Sequence, residues 1–215
     1  MLRRLLTGLL VASVLLGACG DDDDDGDRAA VTSIPEETTS STSSTTTEPR
    51  TVAPDVIPQD VDLITEEYVE QVLNELLGVA GEALRQSVRA GLVDETAIAL
   101  IQATSSEGTV TDDLNELLDI ASSGFAGIKS EPTSLSAEVI AILQSQTDCV
   151  FAEVALDRSG VVEGEEVDSP GVRTFAKLVP ATEEQRRSGL NPTAWVTDGL
   201  PTTTDRSVPT EGCSE

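Results

Sequence analysis

The residues best suited to chemistry in this chain are its carboxylates and its three cysteines, Cys19, Cys149 and Cys213. The 215-residue chain contains no histidine, which excludes Ser-His and Cys-His catalytic pairs and histidine-based metal sites. It carries 39 acidic and 13 basic residues, a formal net charge of −26. A charge of this sign excludes nucleic-acid binding through the neutralisation of phosphates.

Cys19 follows a segment typical of an export signal. Arg3 and Arg4 precede the short apolar run Leu5–Leu16, and the small residues Gly17 and Ala18 come directly before the cysteine. A helix that crosses a bilayer needs about 20 apolar residues, so this run is too short to span one. The pattern predicts a signal peptide over residues 1–18.

The block Leu16-Gly17-Ala18-Cys19 resembles the lipobox of bacterial lipoproteins. The resemblance implies that Cys19 is acylated, with palmitate for example, and becomes the new N-terminus after cleavage. Because each buried methylene contributes about 0.8 kcal/mol, two or more acyl chains would hold the protein on the extracytoplasmic face of the cell membrane. The alternative is an ordinary signal peptide with an incidental cysteine. The scarcity of lysine relative to arginine is typical of a GC-rich genome such as that of an actinobacterium.

Residues 19–60 have the composition of a tether. The segment is acidic, lacks aromatic residues and includes the uninterrupted hydroxyl run Thr38–Thr47. Low hydrophobicity and like charge predict a disordered linker. Asp21–Asp25 superficially resembles a calcium loop, but it lacks the ligand spacing of an EF-hand, which favours a solvated charge run. O-glycosylation of the hydroxyl run is a hypothesis from composition alone.

If Cys19 carries lipid, Cys149 and Cys213 remain as a pair. An even pair in an exported protein predicts one disulfide, which would attach the C-terminal tail to the start of a central strand. A redox site is the alternative, but the chain contains no Cys-x-x-Cys motif.

The carboxylates do not form a recognisable catalytic arrangement. Four of them cluster between two predicted strands: Glu163, Glu165, Glu166 and Asp168. A solvated acidic loop is favoured there over a calcium site. Glu153 and Asp157 lie on or beside a predicted strand, and acid–base catalysis would require one of them to be buried in a cavity. No catalytic residue, metal ligand or cofactor is assigned.

Two aromatic residues are candidates for a binding pocket. Tyr68, the only tyrosine, lies near the start of a predicted helix, and Trp195, the only tryptophan, lies in a predicted strand. A half-buried or core position is the commoner role for each. Arg186 and Arg187 are expected in an exposed loop.

Helical periodicity dominates the first half of the globular region. Thr65, Asp94 and Thr111 are predicted to cap three successive helices. The first helix is predicted to end near Gly91 and the third near Gly124. Apolar residues recur at three- and four-residue steps in each helix, which predicts one buried face per helix.

Alternation with a period of two follows the helices. Cys149–Leu156, Val172–Val179 and Ala194–Thr197 are predicted strands, while Leu135–Leu143 suits either a strand or a short helix. Helices followed by strands predict an α+β domain over residues 61–200, with three N-terminal helices on a curved antiparallel sheet of about four strands. Residues 201–215 are predicted to form a C-terminal tail.

This order of elements also supports a resemblance to a superfamily. Asp148-Cys149-Val150 opens a predicted strand, and Asn191-Pro192-Thr193-Ala194-Trp195 leads into the last one. Together with the preceding helices, these motifs resemble actinobacterial proteins of the nuclear transport factor 2-like (cystatin-like) superfamily. The resemblance covers Thr65–Gly199. The resemblance implies a cone-shaped domain that encloses a pocket. Because that superfamily hosts enzymes, ligand binders and assembly modules, the fold assigns no function by itself.

These observations favour a membrane-anchored, extracytoplasmic and non-catalytic module. Its expected partners are the membrane, through the lipid, and either an envelope protein or a small apolar ligand, with no nucleic acid. The alternative is a small enzyme of the same fold that uses carboxylates in its cavity. A buried cavity carboxylate would favour the enzyme, and an apolar cavity would favour binding.

Overall fold

The computed structural model describes residues 51–165, 171–200 and 212–213 of the chain. These residues belong to one structural unit. The predicted signal peptide, the site at Cys19 and most of the predicted tether lie outside the described residues. A short 3-10 turn at Val61–Leu63 precedes the first helix.

Three helices occupy the first half of the described chain: α1 (Glu66–Ala90), α2 (Glu95–Thr104) and α3 (Val110–Ser122). Two of the predicted caps are confirmed. The Thr65 hydroxyl oxygen accepts a hydrogen bond from the Tyr68 amide, and the Asp94 carboxylate accepts one from the Ala97 amide. Both satisfy an amide that has no partner within its helix.

The predicted N-cap of the third helix is wrong by two residues. Helix α3 begins at Val110 and its N-cap is Thr109, so Thr111 lies inside the first turn. Thr109 makes no side-chain cap hydrogen bond. The carbonyl of Ser106 instead accepts from the Val110 amide at 2.9 Å, and the Ser106 hydroxyl oxygen accepts from the Gly108 amide. Ser106 therefore organises the turn that precedes the helix.

Four strands form one antiparallel sheet in the order β1-β2-β3-β4: β1 (Ser136–Gln146), β2 (Cys149–Asp157), β3 (Val172–Pro180) and β4 (Trp195–Thr197). The segment that suited either a strand or a helix is thus a strand, β1. It pairs with β2 with two register shifts. The fold is α+β with a four-stranded antiparallel sheet, as predicted from the order of the elements.

The alternation predicted for β2 is confirmed by burial. Val150, Ala152, Val154 and Leu156 are each at most 1% exposed and share one core with α1 and α2. On the opposite face, the ring of Phe151 stacks on that of Phe175, with centroids 5.5 Å apart. Helix α1 contacts β1, α2 contacts α1 and β4, and α3 contacts α2 and α1.

A fourth helix, α4 (Glu183–Arg187), interrupts the connection between β3 and β4. Arg186 and Arg187 lie in this helix, which corrects the expectation of a loop. The helix starts with a capping box in which Thr182 and Gln185 bond to each other's backbone amides. That spacing, a threonine followed three residues later by glutamine, is a helix-start signal that the sequence carried.

The core also receives residues that were predicted to lie in the tether. Val52 and Ile57 pack against it. The Pro54 carbonyl accepts a hydrogen bond from the Ala194 amide at 2.9 Å. The sequence of this segment has neither helical nor strand periodicity, so it gave no sign that the segment packs on the core. The part of the chain that packs on the core therefore includes residues before 61.

Candidate functional site

A cavity of about 100 Å³ lies among the three helices, beside the residue before β1 and the end of β4. Nine apolar side chains line it, and they supply most of its surface: Leu76, Leu77, Ala80, Leu84, Ile101, Leu117, Ile120, Leu135 and Leu200. Seven of the nine are at most 8% exposed, so the cavity is formed by the core itself rather than by surface loops.

Helical spacing brings these side chains to one place. Leu76, Ala80 and Leu84 follow each other at four-residue steps along α1 and therefore share a face. On α3 the cavity-lining residues are Asp113, Glu116, Leu117 and Ile120, again at helical spacing. One face of α3 thus contributes two acidic and two apolar residues to the wall of the same cavity.

Two hydroxyl groups of the cavity wall, those of Thr104 and Thr197, have structural hydrogen bonds. Thr104 Oγ1 donates to the Leu100 carbonyl at 3.1 Å, within helix α2. Thr197 Oγ1 donates to the Thr104 carbonyl at 3.2 Å and so joins β4 to α2. These hydroxyls hold the wall together. Neither is arranged as an activated nucleophile, which would need an adjacent base.

The two carboxylates of the cavity wall are partly exposed. Asp113 and Glu116 have intermediate burial. Leu117, on the same helix, is only 5% exposed. A general acid that works near neutral pH is usually a carboxyl group buried in an apolar site. The arrangement instead places two partly exposed acidic residues beside a mostly apolar cavity.

Tyr68 and Trp195 are brought together, but in the core. Trp195 is 0% exposed and Tyr68 is 4% exposed. The Trp195 Nε1–H donates to the Tyr68 hydroxyl oxygen at 2.7 Å, and the Tyr68 hydroxyl donates to the Val56 carbonyl at 2.6 Å. Neither residue is among those that line the cavity. Their polar atoms satisfy each other and a backbone carbonyl, as buried polar groups must.

Burial raises the pKa of the Tyr68 phenol above its ordinary value of 10.0. The hydrogen bond from Trp195 opposes this by stabilising the phenolate, and the negative charge of Asp55 adds to the increase. The phenol therefore keeps its proton throughout the physiological range and acts as a structural donor.

The Asn191-Pro192-Thr193-Ala194-Trp195 motif holds β4 in place. Asn191 Nδ2 donates to the carbonyls of Ala103, at 3.0 Å, and of Trp195, at 2.9 Å. Thr193 Oγ1 donates to the same Trp195 carbonyl at 2.8 Å. This buried network connects the last strand to the end of α2, next to the cavity wall.

A polar cluster that the sequence did not indicate lies beside the cavity. Lys177 Nζ is 3.1 Å from Asp198 Oδ2, and the Ser106 hydroxyl donates to Asp198 Oδ1. Asp198 thus forms an ion pair with Lys177 and a hydrogen bond with Ser106. The cluster joins residues 92 positions apart, so no local signal could have revealed it.

Cys149 and Cys213 lie at disulfide-bonding distance, with Cα atoms 5.7 Å apart across a separation of 64 residues. Both are buried in a small second cluster with Phe151, against which Phe175 packs. The pair attaches Cys213 to the start of β2, on the sheet face opposite the main core. This is the attachment that the cysteine count predicted.

The acidic loop is only partly described. Glu165 forms an ion pair with Arg158, while Glu166 and Asp168 lie outside the described residues. Glu153 pairs with Arg173 at 3.1 Å on the exposed sheet face, and Asp157 Oδ1 accepts from the Ser159 amide at 2.8 Å. None of these carboxylates lines the cavity. Within residues 51–165, 171–200 and 212–213, no group of three acidic or cysteine side chains could hold a metal ion.

No family model, curated protein or solved structure matches this chain in the comparisons with known proteins. In the part of the chain that the structure describes, no helix combines the length and the apolarity that crossing a membrane requires.

Proposed function

We propose that this chain is a lipid-anchored, extracytoplasmic and non-catalytic binding module of the cell envelope. The observation that carries the proposal is the cavity of about 100 Å³, whose wall is mostly apolar and buried. Such a wall favours the burial of an apolar group, and the hydroxyls of Thr104 and Thr197 are already used in structural hydrogen bonds. The bound group would belong to a small apolar ligand or to an envelope protein.

The membrane attachment rests on the lipobox-like block that ends at Cys19. Acylation there, followed by an acidic tether, would keep the module near the membrane while allowing it to work away from the lipid surface. Replacing Cys19 with serine should release the protein from the membrane fraction of the native cell. Retention of the Cys19→Ser protein in that fraction would contradict the anchor.

The fold part of the proposal is a nuclear transport factor 2-like cone, with α1, α2 and α3 on the sheet around the cavity. Its support is the shared core of the helices and the strands and the position of the cavity between them. An experimental structure of the domain would test the proposal, because a flat open sheet with no enclosed cavity would contradict it.

The binding role can be tested by filling the cavity. Ala80 lines the cavity from α1, and its replacement by leucine adds volume where a ligand would lie. We expect crosslinking and affinity capture from the native envelope to recover a specific partner or small molecule with the natural chain and much less with Ala80→Leu. Ala90→Leu is the matched control, because Ala90 is exposed at the end of the same helix.

The same capture experiment can refute the proposal. Equal recovery with Ala80→Leu and Ala90→Leu, or recovery of nothing specific with any form, would count against a binding module. The folding of each variant is checked by circular dichroism before capture.

A small enzyme remains the second candidate, and the observation in its favour is that Asp113 and Glu116 line the cavity. Their partial exposure argues for the binding role, since acid–base work favours a buried carboxyl group. Mass spectrometry of the captured small molecules distinguishes the two roles. A product that forms with the natural chain but not with Asp113→Asn or Glu116→Gln would support the enzyme.

A further inference from the structure

The charge of helix α3 gives the cavity a chemical preference. The helix contains four acidic residues and no basic one: Asp112, Asp113, Glu116 and Asp119. Only Asp113 and Glu116 line the cavity, and they stand beside Leu117 and Ile120 on the same helical face. A ligand with its apolar part in the cavity would therefore have its polar part next to two carboxylates.

Electrostatics near this cavity favour a cation. The chain has a formal net charge of −26, which repels anions at long range. Close to the apolar wall the effective dielectric constant is lower than in water, so the carboxylates act more strongly there than on an open surface. Asp113 and Glu116 each already take part in a polar or electrostatic interaction. The two oxygens of a carboxylate offer several acceptor positions, so such a contact does not prevent a second one.

The size of the cavity limits the apolar group. An engineered apolar cavity of about 150 Å³ is large enough to bind benzene. A cavity of about 100 Å³ is therefore suited to a smaller group, such as a branched aliphatic chain. Drug-sized ligands occupy pockets of about 300–1,000 Å³, so a larger ligand could place only one of its groups in this cavity.

We propose that the cavity binds a small organic cation, in which an aliphatic group of about five carbon atoms enters the apolar wall and an ammonium or guanidinium group meets Asp113 and Glu116. The inference rests on the proposed binding function and adds the charge and the size of the ligand. Selection arises because a neutral alcohol of the same shape gains the apolar contact alone. An anion of that shape is repelled by both carboxylates.

Three compounds with the same branched carbon skeleton test the inference: isopentylamine, isopentanol and isovalerate. Binding to the natural full-length chain is followed by the shifts of the methyl NMR signals of Leu117 and Ile120. We expect the amine to bind about fivefold more tightly than the alcohol, which corresponds to about 1 kcal/mol for partly exposed charges. Isovalerate should bind most weakly. High salt should reduce the advantage of the amine, because salt screens exposed charges.

Substitutions of acidic residues on α3 test which of them cause the preference for the amine. In Asp113→Asn and Glu116→Gln the amine should lose most of its advantage over the alcohol, while the affinity for the alcohol stays the same. Asp119→Asn is the matched control, because it removes the same charge from an exposed position on α3 that does not line the cavity. Ala80→Leu should abolish the binding of all three compounds.

Two results would overturn the inference and separate it from the proposed function. If the alcohol binds as tightly as the amine and Ala80→Leu abolishes both, the cavity binds apolar groups without regard to charge, and only the cation preference fails. If Asp119→Asn weakens the amine as much as Asp113→Asn does, the preference comes from the general charge of the chain rather than from the cavity. The capture experiment with Ala80→Leu tests the binding function independently of either result.

Discussion

The indole Nε1–H of Trp195 donates a hydrogen bond to the Tyr68 hydroxyl oxygen at 2.7 Å, which joins two residues 127 positions apart. Through the same hydroxyl, Tyr68 donates to the Val56 carbonyl at 2.6 Å. One chain of hydrogen bonds thus connects the last strand, the first helix and the segment before it. Both side chains are buried, so the Trp195 N–H depends on the Tyr68 hydroxyl for its acceptor.

Replacing Tyr68 with phenylalanine should lower the free energy of unfolding by about 1–3 kcal/mol, because it leaves the Trp195 N–H buried without its acceptor. Urea unfolding followed by circular dichroism measures the loss. A double-mutant cycle with Trp195→Phe isolates the pairwise part. Strictly additive effects of the two substitutions would show that the hydrogen bond contributes nothing.

The pKa of Tyr68 predicts loss of stability at alkaline pH. Since the folded-state pKa is raised above 10.0, the unfolded chain releases the phenolic proton at a lower pH than the folded chain does. This contribution to stability is fully present below pH 10.0 and declines as the pH rises above it. Tyr68 is the only tyrosine, so tyrosinate absorbance reports on it alone.

We expect that absorbance to titrate at higher pH in the folded chain than in the urea-unfolded chain. In Tyr68→Phe the alkaline decline of the unfolding free energy should be smaller. Identical midpoints in the folded and unfolded chains would contradict the effect of burial.

Asn74 protects the free edge of the sheet. From helix α1 its side chain accepts a hydrogen bond from the Ala137 amide at 2.8 Å and donates to the Ala137 carbonyl at 3.0 Å. We expect Asn74→Leu to destabilise the fold by about 2 kcal/mol and to increase aggregation, because strand β1 then presents unpaired backbone groups.

The control for this prediction is Gln71→Leu, which adds a similar side chain at an exposed position of α1. Urea unfolding and light scattering provide the two measurements. Equal aggregation of both variants would assign the effect to added surface hydrophobicity rather than to the exposed strand edge.

Two glycines in α1 should respond differently to alanine. At Gly78 a Cβ atom would meet nothing within 4 Å, and Gly78→Ala should stabilise the helix by up to about 1 kcal/mol. At Gly81 the Cβ atom would lie 3.3 Å from the Thr133 carbonyl oxygen. Gly81→Ala should therefore stabilise less than Gly78→Ala, or destabilise, in urea unfolding. An equal gain at both positions would show that the helix does not approach residue 133 so closely.

Removal of the Cys149–Cys213 bond should lower the free energy of unfolding by about 4 kcal/mol in the chain-entropy model, since the bond closes a loop of 64 residues. The double substitution to serine, compared with the natural chain in denaturant, measures this difference. A reductant should destabilise the natural chain and leave the double variant unchanged. Equal thiol counts in the unreduced and reduced denatured chain would contradict the bond.

Capping residues and hydrophobic periodicity, which depend on neighbouring residues, correctly predicted several helices and strands. Thr65 and Asp94 precede their helices as capping residues, and the alternation from Cys149 to Leu156 marks a strand with one buried face. The start of α3 was misplaced because the turn before it depends on Ser106, whose hydroxyl bonds to Asp198 far along the chain. Helix α4 was not predicted, although the spacing of Thr182 and Gln185 is that of a capping box at a helix start.

The candidate site could be predicted only in part. The apolar faces of the helices follow from their periodicity, so one buried face was predicted for each helix. That Asp113 lines a cavity depends on the rotation of α3 against α1 and α2, which is set by packing and not by the sequence of α3 alone.

The sequence by itself determined the helix caps, the strand alternation, the α+β order and the pairing of two cysteines, because each of these depends on residues that are close along the chain or on a simple count. Only the tertiary structure brings Tyr68 and Trp195 into hydrogen-bonding contact in the core. It also places Asn74 over a strand edge, and Asp113 and Glu116 in the wall of an apolar cavity. These relationships join distant segments, and they exist only once burial of the shared core has set the distances between helices and sheet.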